Sequence, residues 1–142
     1  METTLLVIKP DAVAGRHTGE ILARVEAAGF AITGLQMLTV SRPDAEQFYS
    51  IHREKGFFSG LVEFITSGPV VAVRLEAENA RRRLREFVGV TDPAKAAPGT
   101  VRNEFGTSVR HNAVHASNPD EDVDKELAIM FASNPDAGAS AA

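Results

Sequence analysis

LLVIKPDAVAGRHTGEILARVEAAGFAITGLQMLTV, from Leu5 to Val40, reads as strand, helix, strand. Leu5 to Ile8 is a short apolar run ended by Lys9-Pro10-Asp11. Proline has no N–H to give to a ladder, so the run predicts a buried strand with Lys9 at its end. Ile21, Leu22, Val25 and Ala28 then recur at helical spacing between Thr18, a candidate N-cap, and Gly29, a stop. This predicts an amphipathic helix over 18–28. Phe30 and Ile32 alternate, but past Gly34 the apolar phase shifts to Leu35 and Met37, as in a strand that bulges at the glycine. That strand is expected to reach Val40.

Outward from this unit, Ser41-Arg42-Pro43-Asp44 combines a capping serine, a first-turn proline and an acid three residues after the cap, and predicts a helix to about His52. Ser59 to Thr66 predicts a short helix stopped by Ser67-Gly68-Pro69, and Val70 to Leu75 is β-branched enough for a central strand. Ala80, Leu84, Phe87 and Val88 mark the inner face of a further helix, with Arg81, Arg82, Arg83 and Arg85 outside. Residues 89–112 lack periodicity and carry several breakers, so they predict a long excursion with one or two helical turns, a kind of loop that is often functional. Asn112 to Ala116 can form a last short strand; Asn118-Pro119 is expected to cap a final helix facing the core with Val123, Leu127, Met130 and Phe131. The order fits an α+β fold of the ferredoxin-like, split βαβ kind, a four-stranded antiparallel sheet covered by helices. Residues 1–131 read as one domain, and 132–142 as a small-residue, flexible tail.

The chain has 142 residues, 44% hydrophobic and 24% charged, an ordinary globular balance for one core. Its longest apolar runs fall far short of the roughly 20 residues that cross a bilayer, and no basic region followed by an apolar segment opens it; a cytoplasmic protein is expected. It contains no cysteine, which excludes disulfides, thiolate metal sites and a cysteine nucleophile. A formal net charge of -4 argues against nucleic-acid binding as the main function, though not against a small anionic substrate held by a few converging cations.

His115 lies at the end of a short apolar strand just before a helix, where a side chain is held rigidly and still reaches a ligand. For a lone histidine the competing reading is a partly buried ring with one satisfied hydrogen bond. An imidazole near its ordinary pKa of about 6.5 is mostly neutral at pH 7 and can attack phosphorus through its unprotonated nitrogen, provided an acceptor holds the other. Glu126, on the final helix, is the candidate acceptor. Phosphoryl transfer asks mainly for positioning and charge neutralisation, and Lys9, Arg85 and Arg102 could supply cations from separate parts of the chain. Taken singly, Arg85 belongs to a solvated face and Lys9 is an exposed lysine, while Ser117 and Asn118 are explained as capping residues. Phe57-Phe58 offers an aromatic face that would stack on any base, although Phe58 reads equally well as pinning its loop to the core. No glycine-rich phosphate loop of the Walker type is present.

These residues fall in segments that together resemble the nucleoside diphosphate kinase family: TLLVIKPDAV at 4–13, Phe57 through Val70, Gly89 to Pro93, Ala97 to Arg102 and Asn112 to Ser117. The likeness runs collinearly from about residue 3 to Phe131. It implies transfer of the terminal phosphoryl group from a nucleoside triphosphate, mainly ATP, to a nucleoside diphosphate by a ping-pong cycle through phospho-His115, with Glu126 bonded to the ring and Lys9 as a catalytic cation. Lys9, Tyr49, Arg85, Thr91, Arg102 and Asn112 would hold phosphates and sugar, and Phe57 would stack on the base. It also implies Mg²⁺ carried in by the nucleotide, with no protein metal site, and a homotetramer or homohexamer.

Where the family usually has His-Gly-Ser-Asp this chain has His115-Ala116-Ser117-Asn118, and for Arg-Pro-Phe-Phe it has Lys55-Gly56-Phe57-Phe58. A Cβ at Ala116 costs roughly 1 kcal/mol if the backbone there needs φ > 0, which predicts retained chemistry with a rate penalty. Asn118 brings no negative charge to the helix N-terminus, and Gly56 loosens the base-stacking lip. The rival reading from another class is a nucleotide-binding module without catalysis, which would have no need for a nucleophile with an orienting carboxylate.

Overall fold

β1 (Glu2–Ile8) starts earlier than the apolar run that betrays it and is followed at once by α1 (Pro10–Ala14), with Pro10 at the first helical position. The proline that ends the strand therefore opens a helix, because its missing N–H is one that no helix start can satisfy. α2 (Thr18–Ala27) follows; its N-cap is His17, without a side-chain bond, and not Thr18. Gly29, at φ 96, turns the chain out of this helix in the left-handed region open to glycine. β2 (Ala31–Leu38) carries a register irregularity between Ile32 and Gly34, at the predicted bulge. α3 (Arg42–Phe48) is capped by Ser41, whose Oγ accepts from Asp44 N. It stops short of His52, and Ser50–His52 form a separate 3-10 turn.

α4 (Phe58–Ile65), β3 (Val70–Ala77) and α5 (Ala80–Val88) come next, then α6 (Val101–Phe105) inside the long excursion, β4 (Val114–Ala116) and α7 (Val123–Ala132). The structure is a computed structural model that describes residues 1–118 and 122–132. The tail expected at 132–142 lies outside the described residues except for Ala132, the last residue of α7. Pro119 of the expected Asn118-Pro119 cap lies outside them too. The observed cap of α7 is Asp122, whose Oδ1 accepts from Lys125 N at 3.0 Å.

The four strands are antiparallel in the order β2-β3-β1-β4, the predicted ferredoxin-like α+β arrangement. Both faces of the sheet are covered. Leu6, Ile8, Val73 and Leu75 pack with Ile21 and Val25 of α2 and Leu84 and Val88 of α5. Leu5, Val7, Val70 and Ala72 pack with Phe48 of α3, Val62 and Ile65 of α4 and Met130 of α7. Burial on two faces is why β1 and β3 read as continuous apolar runs, whereas β2 at the edge alternates.

Candidate active site

β4 is short and pairs with β1 alone, setting His115 across from Val7. Two residues beyond Val7 in β1, Lys9 leaves the sheet as the N-cap of α1. Between Asn112 and β4 the chain makes a tight turn: Ala113 has φ 76 and Val114 N donates to Asn112 O at 2.9 Å. Asn112 and Ala113 are therefore outside the strand expected for 112–116. This is a γ-turn in the left-handed region, a rare and strained geometry. Ala116, by contrast, lies in extended strand backbone and is absent from the positive-φ residues; the backbone penalty anticipated for its Cβ does not arise.

The His115 ring packs against Phe48 and Tyr49, with centroids 4.8 and 6.2 Å away. Its Nε2 lies 3.1 Å from Glu126 Oε1. The same oxygen accepts from Ser117 Oγ at 2.6 Å, so Ser117 acts on Glu126 and is not a helix cap. A carboxylate only accepts, which puts a proton on Nε2 and leaves the lone pair on Nδ1.

Cations surround this ring. Arg102 donates through Nη2 to Val114 O and through Nη1 to Gly89 O, both at 2.9 Å. Arg85 donates to Ala116 O at 3.3 Å. The two arginines thus grip the carbonyls on either side of His115, and Arg85 leaves the solvated outer face where helical periodicity puts it. Lys9 donates to Asn112 Oδ1 at 2.9 Å and Arg110 O at 3.0 Å, while Asn112 Nδ2 donates to Thr91 O at 3.1 Å. Lys9 and Arg102 are each only 5% exposed, and among the described residues neither has a carboxylate in ion-pair range. Burial lowers the Lys9 pKa to about 8, with Asp11 opposing and Arg102 and Arg110 adding to the shift. Burial, and then the Arg85 charge, lower that of Arg102 to about 10. Arg102 Nε is buried without a partner. Buried cations left without counter-charge make a receptor for an anion.

All of these groups open on one cleft of about 830 Å³, lined among others by Lys9, Tyr49, Phe57, Arg85, Thr91, Arg102, Asn112 and His115. Glu126 stands behind the ring. Phe57 is 46% exposed at the mouth, between the His52 ring and Lys55 Nζ; Phe58 is turned into the core. Asn118 lines the cleft as well. The sequence reading missed His52, Val109, Arg110 and His111 on its wall. Only the adjacency of 109–111 to Asn112 could have pointed to them. His52 Nδ1 is buried without a partner, and burial, then Lys55 and His115, lower its pKa. Arg110 reaches α4 at Gly60, where an added Cβ would meet its guanidinium.

An imidazole with one nitrogen tied to a carboxylate, in a cleft it shares with buried cations, on this fold, defines a phosphotransferase class of site. The family model of nucleoside diphosphate kinase matches residues 2–135. The nucleoside diphosphate kinase of Campylobacter hominis is 49% identical over 132 residues, 93% of this chain and 96% of that one. Among solved structures, the Aquifex aeolicus nucleoside diphosphate kinase superposes with a TM-score of 0.88 at 44% identity, covering 92% of this chain and 94% of its own. The Halobacterium salinarum enzyme, solved in complex with CDP, gives 0.88 at 38% identity over 92% of this chain and 87% of that chain. The chain belongs to the nucleoside diphosphate kinase family.

Proposed function

We propose that this chain carries the terminal phosphoryl group of a nucleoside triphosphate, mainly ATP, to a nucleoside diphosphate through phospho-His115. In the first half-reaction the Nδ1 lone pair forms a bond to the γ-phosphorus while the bond to the β-phosphate oxygen breaks, and the diphosphate leaves. Nε2 keeps its proton throughout, donated in a hydrogen bond to the Glu126 carboxylate, whose negative charge stabilises the positive charge the ring gains. The second diphosphate reverses these steps. Lys9, Arg85 and Arg102 neutralise the phosphate oxygens, Tyr49, Thr91 and Asn112 hold phosphates and sugar, and Phe57 takes the base by stacking, which suits all bases alike.

The observation that carries this reading is the pair of buried cations Lys9 and Arg102, neither ion-paired to a carboxylate among the described residues, beside a histidine whose Nε2 is held by Glu126. A pure binding module has no use for that tether. The donor set also fits Mg²⁺ arriving on the nucleotide: among the described residues that line the cleft there is no carboxylate. The nucleotide's phosphate oxygens would then hold it, and when bound it would supply further charge neutralisation.

Intact mass after brief exposure to Mg-ATP tests the assignment. One phosphoryl group is expected on the wild type and none on His115→Ala, and GDP should discharge it; a labelled His115→Ala protein would overturn the role of His115.

The same reading includes a homotetramer or homohexamer. It is supported by β2, an edge strand that leaves Leu35 and Met37 54% and 58% exposed. We also read residues 1–131 as the catalytic domain. Among the described residues no helix is long and apolar enough to cross a membrane. A cytoplasmic site of action is part of the proposal. Nucleic acid is not its main ligand.

A further inference from the structure

Asp11 does not line the cleft, and nothing in the transfer steps uses it. Yet its Oδ2 accepts a hydrogen bond from Ala113 N at 3.0 Å, across 102 positions of sequence. Ala113 is fully buried and is the central residue of the strained turn. The turn is gripped on its other side by Lys9 N, which donates to Ala113 O at 2.9 Å. Such a conformation persists only where surrounding contacts over-determine it, and these two bonds, one from the residue at each end of Lys9-Pro10-Asp11, are those contacts.

What hangs from the turn is the site itself. Asn112, on one side, receives the Lys9 ammonium. His115, on the other, is two residues from Ala113. The second Asp11 oxygen, Oδ1, is buried without a hydrogen-bond partner, and the charge of this carboxylate favours the ammonium form of Lys9. The groups that face Lys9 are Asp11 from α1, Arg102 from α6, Arg110 from the loop before Asn112 and the Phe64 ring from α4, 5.4 Å away.

We propose that Asp11 is a positioning residue for phosphoryl transfer: its carboxylate fixes the strained turn at Ala113, and through it both the Lys9–Asn112 pair and His115. The inference rests on the transfer reading above. Asp11→Asn keeps an oxygen for Ala113 N but removes the charge, whereas Asp11→Ala removes both. Single-turnover phosphorylation of His115 by Mg-ATP is therefore expected to slow by about 10- to 100-fold in Asp11→Ala, the scale of a misplaced reacting group, and by less in Asp11→Asn. The alkaline limb of the rate profile should move to lower pH in both variants. Adding Ala113→Gly to Asp11→Ala should restore part of the rate, since glycine takes φ > 0 without the steric cost.

Wild-type rates and an unmoved alkaline limb in Asp11→Ala overturn the proposal. So does a loss that follows the melting temperature alone, with no recovery on adding Ala113→Gly and no pH shift, because that is a merely structural role. Wild-type protein that takes up no phosphoryl group would instead refute the transfer reading, which separates the two failures.

Discussion

Lys9 holds an ammonium group where water barely reaches, and its pKa falls from 10.5 to about 8 as a result. The unfolded chain keeps the proton up to 10.5, so between about pH 8 and 10.5 the unfolded state binds more protons than the native one. The Lys9 contribution to stability therefore rises with pH across that window. Phosphate binding in the proposed role of Lys9 would run the opposite way, since it needs the charge. Calorimetric titration with ADP from about pH 7 to 9.5 is expected to show affinity falling as Lys9 titrates; an affinity flat through pH 9 contradicts the role. At this scale Lys9, Arg102, His115 and Glu126 could be nominated as candidates from residue type and order, but their burial was not legible. Nor was strain: suspicion fell on Ala116, which stands where the family usually has glycine, while beside the site it is Ala113 that takes a positive φ, held by partners about a hundred residues away that leave no local mark. A residue held there costs of order 1–3 kcal/mol.

Elements were legible where periodicity was long. α2 and α5 show one apolar face each, and β3 shows none because both its faces are buried. Short elements were not. α1 hid behind a proline read only as a strand stop, and the helix opened at Ser41 was drawn too long because no glycine or proline separates its last turn from the 3-10 turn at Ser50–His52. The cap of α7 was sought at Asn118, the most conspicuous capping dipeptide nearby. Asp122 does the work, and it brings to the helix start the negative charge that Asn118 lacks. Asp122→Ala should cost ~1 kcal/mol, read as a lower urea midpoint with an unchanged slope. Because Glu126 sits in the first turn of this helix, the variant should also slow phosphorylation of His115; a wild-type rate would mean that the tether tolerates a frayed start.

For the whole molecule, the sheet ends on one side at the three-residue β4 and on the other at the longer edge strand β2. The apolar pattern at Leu35 and Met37 was legible, but not which side of the sheet it would occupy, because strand order is set by pairing distant in sequence. If assembly covers that edge, Leu35→Asp with Met37→Asp should reduce the sedimenting species toward a monomer while single-turnover labelling of His115 persists. Retention of the native size places the interface elsewhere. The strand order has one more consequence. β1, which leads the chain, is an inner strand whose outer neighbour is β4, at 114–116. Growing at about 5–20 residues per second, a nascent chain leaves that flank vacant for roughly 5 to 20 s before the residue that reacts has even been translated. Any chain that stops before that point therefore carries an unpaired β1 flank and no His115.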